Sequence, residues 1–220
     1  MFTKTHLVSL ALLFCTILIG GCPPSNKNEP TATASQTRLR IQRQIQSNYK
    51  DPDAHYQMGK LHQAEGLWSQ AEHEFTVALS FDPVHRSSQA AMVKILLDSG
   101  QSAKAKPAAD FYMNQASTSD VGSLDLGIAF QKEGLDNYAL TCYQKALSLA
   151  PSSAQANKQL GYYYLKKGDK EKAKDYLIRS FQADPYQPDV AGELGRLGVA
   201  IQSSQMPAPS AAPSAGNKTK

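Results

Sequence analysis

The sequence predicts an all-α fold built as an array of stacked helix pairs, and two observations carry that prediction. Leu126-Gly127, Phe130, Gly134, Ala139, Tyr143, Ala146 and Pro151 are answered 34 residues later by Leu160-Gly161, Tyr164, Gly168, Ala173, Leu177, Ser180 and Pro185. The same interval then extends in both directions. Stepping by 34 gives Gly59, Val93, Gly127, Gly161 and Gly195; Ala71, Ala105, Ala139 and Ala173; and Pro83, Ser117, Pro151 and Pro185. An interval that returns Gly to Gly and Pro to Pro marks a repeat array.

These Leu-Gly, aromatic, Ala and Pro positions resemble the 34-residue helix–turn–helix template of the tetratricopeptide repeat (TPR) family over roughly residues 52–202. The resemblance implies a TPR α-solenoid, with antiparallel helix pairs stacked into a right-handed superhelix. The first helix of each pair would line a concave groove that takes protein or peptide partners. It specifies the fold and says little about the ligand.

At the N-terminus, Lys4 precedes an apolar stretch, Leu7 to Ile19, of about 13 residues. That is short of the ~20 that span a bilayer and reads as a signal peptide over residues 1–21. Ile19-Gly20-Gly21-Cys22 resembles the bacterial lipobox, with Ile in place of the usual Leu, which implies cleavage before a diacylated Cys22. The alternative is an ordinary secretory signal that contains a Cys. Two or three acyl chains at ~0.8 kcal/mol per buried CH₂ would anchor the chain to a membrane without crossing it. Pro23 follows Cys22 where the inner-membrane retention signal of enteric-type lipoproteins has Asp, so an outer-membrane anchor facing the periplasm is favoured.

Residues 22–36 are expected to be a lipidated, flexible linker, being rich in Pro, Ser, Thr and Asn. Residues 37–50, with Leu39, Ile41, Ile45 and Tyr49, read as an N-terminal capping helix. Repeat 1 spans 52–85, with helices expected at Asp53–Glu65 and Ser69–Phe81. Gly59 and Ala71 would let them approach, Phe75 would fill the space between, and Asp82-Pro83 would stop the second. Repeat 2, 86–119, is degenerate, with Val93 for Gly, Ala109 for the large residue and Ser117 for Pro. Pro107 should kink or delay its second helix, Tyr112 and Met113 should compensate, and this unit should be the loosest. Repeats 3 (120–153) and 4 (154–187) are clean, a C-terminal capping helix covers 188–202, and 203–220 reads as a disordered tail.

The formal net charge of +4 falls to about +3 once Lys4 leaves with the signal, too mild and interspersed for nucleic acid. Cys142 is then the remaining thiol, so no intrachain disulfide framework forms. In the middle of a helix it reads as a small buried hydrophobe. His55 and His62 share a helix face, but no third and fourth zinc ligands accompany them at suitable spacing, so they read as packing residues. Nucleophile-elbow, zinc-protease, P-loop and dinucleotide motifs are absent. No enzyme, cofactor or metal is expected.

The register instead points first-helix residues into the groove: Tyr56, Lys60, Lys94, Leu124, Ile128, Gln131, Lys158 and Tyr162, together with Ala90. Their mixture of aromatic, aliphatic and cationic groups suits an extended or helical peptide with some acidic character. The Lys and Asn pattern of TPRs that capture chaperone C-termini is not matched. The function expected is a membrane-anchored adaptor or assembly scaffold of the bacterial envelope, by architecture similar to TPR lipoproteins of pilus and secretin assembly. The other readings are an adaptor for cell-wall enzymes and a structural lipoprotein that self-associates.

Overall fold

The computed structural model describes residues 32–200. The signal peptide, Cys22, the first part of the linker and the tail from 203 lie outside the described residues. Among the described residues all regular structure is helical. It comprises α1 (Ala32–Ser47), α2 (Pro52–Ala64), α3 (Trp68–Phe81), α4 (Arg86–Asp98), α5 (Ser102–Ala116), α6 (Asp120–Lys132), α7 (Asp136–Leu149), α8 (Ala154–Lys166), α9 (Lys170–Ala183) and α10 (Pro188–Arg196). Pairs α2/α3, α4/α5, α6/α7 and α8/α9 are the four repeats, and each pair stacks on the next. No described helix is long and apolar enough to cross a membrane.

Local sequence explains the boundaries. Asp51 opens α2 by accepting from the backbone N–H of Asp53 at 3.0 Å and of Ala54 at 3.2 Å, with Pro52 in the first turn where a missing N–H costs nothing. Ser119 and Ser153 cap α6 and α8 in the same way. Between the helices of each pair the chain reverses at Gly66, Gly100, Gly134 and Gly168, whose φ values of 74° to 79° suit a residue without Cβ. At the third such turn the N–H of Leu135 donates to the carbonyl of Phe130 at 2.8 Å, which seals the end of α6.

The paired helices meet at a seam of one glycine against one large side chain. A Cβ on Gly59 would lie 2.5 Å from the Phe75 ring, one on Gly127 2.6 Å from Tyr143, and one on Gly161 2.6 Å from Leu177. Gly195 meets nothing within 4 Å, because α10 has no partner helix among the described residues. Repeat 2 inverts the seam: Val93 and Ala109 hold the equivalent positions, and both are fully buried in the main core cluster. The two exceptions to the template exchange large for small and small for large, and α4 and α5 pack less closely than the helices of the other pairs.

A second device recurs at the same period. His55, Gln89, Ser123 and Asn157 are spaced by 34 and all buried, and each reaches a carbonyl of the loop before its helix. His55 Nε2 lies 2.8 Å from the Tyr49 oxygen. The Gln89 amide donates to the Pro83 oxygen at 2.7 Å, the Ser123 hydroxyl to Ala116 at 3.1 Å, and the Asn157 amide to Pro151 at 3.5 Å and to Ser153 at 2.9 Å. Four different side chains thus satisfy the inter-repeat loops, which would otherwise leave buried acceptors unpaired.

Several boundaries differ from the sequence reading. Helix α1 begins at Ala32, inside the stretch expected to be linker, because Ala32, Ala34 and Gln36 are compatible with helix once Pro30 is passed. Helix α10 stops at Arg196 instead of continuing to 202, since Gly198 at φ 77° turns the chain and the Val199 N–H closes onto Leu194 at 2.9 Å. Pro107 does not delay α5, which runs from Ser102 through it to Ala116. Its ring is on the exposed face, where water can serve the carbonyl it leaves free. Repeat 2 is, as the sequence suggests, the unit whose two helices pack least closely on each other, although α4 itself buries an unbroken run from Ser88 to Val93, with Ile95 and Leu96.

Replacing Gly127 by Ala should cost about 1–3 kcal/mol through overpacking against Tyr143. The double change Gly127→Val with Tyr143→Ala, which copies repeat 2, should recover most of the loss. Urea unfolding of the two variants checks both outcomes, and an undiminished midpoint for Gly127→Ala would contradict the seam.

Candidate binding surface

The first helices of the pairs carry the expected groove residues, and the structure brings these into two unlike groups. Toward the N-terminal end an ion pair crosses the repeats. The Lys60 ammonium reaches Glu133 across 73 residues of chain, at 2.9 Å and 2.7 Å to the two carboxylate oxygens. The Glu133 side chain is only 6% exposed, so this contact joins the end of α2 to the end of α6 over the recessed α4. Tyr56 packs on Phe75 and His85, and burial together with Glu133 pushes its phenol up to about 12. Lys94 is paired with Asp98 on its own helix. Ala90 is fully buried and drops out of the groove, a correction that follows from the depth of α4.

The second group lies toward the C-terminal end. Leu124 and Ile128 are half-buried, each with one side on the core and the other outward. Gln131 is engaged, its side-chain oxygen accepting from the Tyr143 hydroxyl at 2.7 Å, so it holds the α6/α7 seam. On α8, Lys158 and Tyr162 converge on one carboxylate of α10: Asp189 Oδ2 lies 2.6 Å from the ammonium and accepts from the phenol at 3.0 Å. Lys158 holds the Asp189 carboxyl below its ordinary range, while burial and Asp189 push Tyr162 up to about 12. A carboxylate held by a Lys and a Tyr is an arrangement that could also receive an acidic group from a peptide. The sequence could not show this. Asp189 belongs to the capping helix, and its contact with α8 depends on how α10 stacks.

The chemistry-bearing residues outside this surface are spent on structure. Both His55 nitrogens face protein acceptors, Glu74 at 2.7 Å and the Tyr49 carbonyl at 2.8 Å. His62 stands 3.9 Å from Glu65. Among the described residues, no group of three or more His, Cys, Asp and Glu side chains gathers to hold a metal. Cys142 is buried at the floor of a cleft of 460 Å³ between α5 and α7, lined by Asp110, Met113, Asn114 and Lys145 among others. Burial pushes its thiol up to about 12, far from the thiolate that nucleophilic chemistry needs.

Residues 142–175, from α7 into α9, match the tetratricopeptide repeat family model. That match spans 34 residues, one repeat length, within an all-α solenoid of four stacked helix pairs. No curated protein matches it in sequence. Among solved structures it is similar to MamA, at 20% identity over 66% of this chain and 80% of that one, with a TM-score of 0.41. It is similar to YrrB, described as a TPR protein with an unusual peptide-binding site, at 17% identity over 73% and 83%, with a TM-score of 0.40. It is also similar to PilW, described as a widely conserved type IV pilus biogenesis factor, at 18% identity over 74% and 78%, with a TM-score of 0.43.

Two outcomes follow for the solenoid. Lys158→Ala should return the Asp189 carboxyl toward the ordinary value of about 3.9, measured by NMR titration. In the native chain the lowered value makes Asp189 stabilising above that unfolded value, and the contribution is lost as pH falls through the folded one. Separately, a thiol-alkylating reagent at neutral pH should leave Cys142 largely unmodified until urea unfolds the chain; equal rates in both states would contradict its burial.

Proposed function

We propose that this solenoid is a lipid-anchored adaptor of the bacterial envelope that holds a segment of another protein along Leu124, Ile128, Lys158 and Tyr162. The observation that carries the reading is the convergence of Lys158 and Tyr162 on Asp189, with Leu124 and Ile128 half-buried on the first helix of the preceding repeat. An incoming acidic residue would exchange with Asp189 at the ammonium while apolar neighbours pack on the two aliphatic side chains. Tyr56, Lys60 and Lys94 would form the N-terminal end of the strip, and Gln131 would brace it. The lipobox-like Ile19-Gly20-Gly21-Cys22 supports anchoring through acylated Cys22, with Pro23 favouring the outer membrane facing the periplasm. A pilus or secretin assembly is the partner class to try first.

Two measurements test this reading. Cells expressing the chain should incorporate labelled palmitate, and Cys22→Ala should abolish both the label and membrane fractionation. Ile128→Glu with Tyr162→Ala should lower capture of the partner by roughly 30-fold or more, the loss of a hot spot worth about 2 kcal/mol, with the helical circular dichroism unchanged. Undiminished capture by that folded variant would remove the strip from the interaction. Capture of only a second copy of the chain would replace the adaptor with a self-associating scaffold.

A further inference from the structure

Helix α1 brings cations of one sign to the N-terminal end of the solenoid. From Ala32 to Lys50 the chain has Arg38, Arg40, Arg43 and Lys50 and no Asp or Glu. The inner side of α1 packs on the fold: Ile41 is 1% exposed, Arg38 pairs with Glu65 at the end of α2, and Gln44 bonds Asp51 at its start at 2.7 Å. At about 3.6 residues per turn the opposite side carries Gln36, Leu39, Arg40, Arg43 and Gln46. All five are exposed, Leu39 by 52%.

The acids from Asp51 to Glu74 are engaged elsewhere. Asp51 caps α2, Asp53 meets His85 at 3.0 Å, Glu65 holds Arg38, Glu72 accepts from Gln101 at 3.2 Å, and Glu74 meets His55 at 2.7 Å. Among the described residues Arg40, Arg43 and Lys50 have no ion pair. Helix α8 makes the contrast. It too lacks an acid, but its Lys158 is met by Asp189 and its Lys166 by Asp136. In the linker, Lys27 and Glu29 offset each other. The terminal helix of a solenoid needs a polar outer face, which either sign of charge would supply. Here two unpaired guanidiniums flank an exposed leucine. The lipidation candidate is also close by, since the chain from Cys22 to Ala32 reaches at most roughly 35 Å.

We propose that the outer face of α1 rests on an anionic lipid surface, with Arg40 and Arg43 at the headgroups and Leu39 between them at the acyl boundary. This rests on the anchoring reading above and names the surface that meets the lipid. A single acyl chain binds reversibly, and basic residues beside it add to its hold on anionic lipid. Salt weakens that part of the contact. Because α1 precedes repeat 1 while Leu124, Ile128, Lys158 and Tyr162 belong to repeats 3 and 4, a chain resting on α1 leaves the strip clear of the lipid.

The test uses the chain from Cys22 onward, which retains every described element, coupled through the Cys22 thiol to maleimide lipid in vesicles; Cys142 is buried and does not compete. Trp68 is the single Trp of the sequence. Trp68→Phe with Leu39→Trp therefore places one indole on α1, and Trp68→Phe with Tyr186→Trp places it at the far end of the solenoid. On phosphatidylcholine vesicles containing phosphatidylglycerol, the indole at position 39 should shift its emission to the blue and be quenched by brominated acyl chains. The indole at position 186 should do neither. On phosphatidylcholine alone both effects at position 39 should be lost. They should also be lost on the anionic vesicles after Arg40→Glu with Arg43→Glu, with circular dichroism unchanged, and the milder pair Arg40→Gln with Arg43→Gln should weaken them. Absence of quenching at position 39 on anionic vesicles would overturn the proposal, as would quenching that survives the reversals or neutral lipid, or equal quenching at position 186. Because coupling is chemical, these outcomes stand whether or not cells acylate Cys22, which palmitate labelling decides separately.

Discussion

The structure depends on one steric constraint: within each pair, two helix backbones can approach only where a residue without bulk faces one that fills the gap. Gly59, Gly127 and Gly161 leave room for Phe75, Tyr143 and Leu177, at separations that a single added methyl group would violate. Helix spacing, the position of each turn and the stacking of one pair on the next follow from that contact. The constraint acts on the pair of positions and leaves open which helix supplies the bulk. Repeat 2 meets it with Val93 and Ala109 and keeps a continuous core.

Polar chemistry inside the fold serves the same architecture. His55, Gln89, Ser123 and Asn157 recur with the period of the glycines and bind carbonyls at the repeat junctions, so each loop is held by the helix that follows it. A His in this place needs no catalytic explanation, and neither does a Cys under desolvation strong enough to keep its thiol protonated. On the proposed reading, recognition falls to the outward side of the first helices in repeats 3 and 4.

The 34-residue interval made the four helix pairs legible in the sequence, because Gly, Ala and Pro have strong and distinct backbone roles. Features set by pairwise compensation were less legible. Val93 and Ala109 read as two separate defects when each was compared with a template position, yet both are fully buried in the core. Pro107 read as a break because the sequence does not show that its face is exposed. The end of α10 at Gly198 was hidden by the apolar residues beyond it, Val199 and Ile201, which continue a helical pattern. In the candidate surface, the register placed Lys60, Lys158 and Tyr162 on the correct helices. It could not supply their partners, since Glu133 lies two repeats away from Lys60 and Asp189 comes from the capping helix.

A lipid anchor, a solenoid and a strip would together make a device for holding one protein at a membrane. The most direct test of that account is photo-crosslinking in living cells, with a photoreactive amino acid placed at Ile128 on the strip and, in a separate strain, at Phe111 on the exposed face of α5. The account predicts a discrete adduct with a different protein from Ile128 and none from Phe111. Adducts from Phe111 with none from Ile128 would contradict it and move the working surface to the second helices of the repeats.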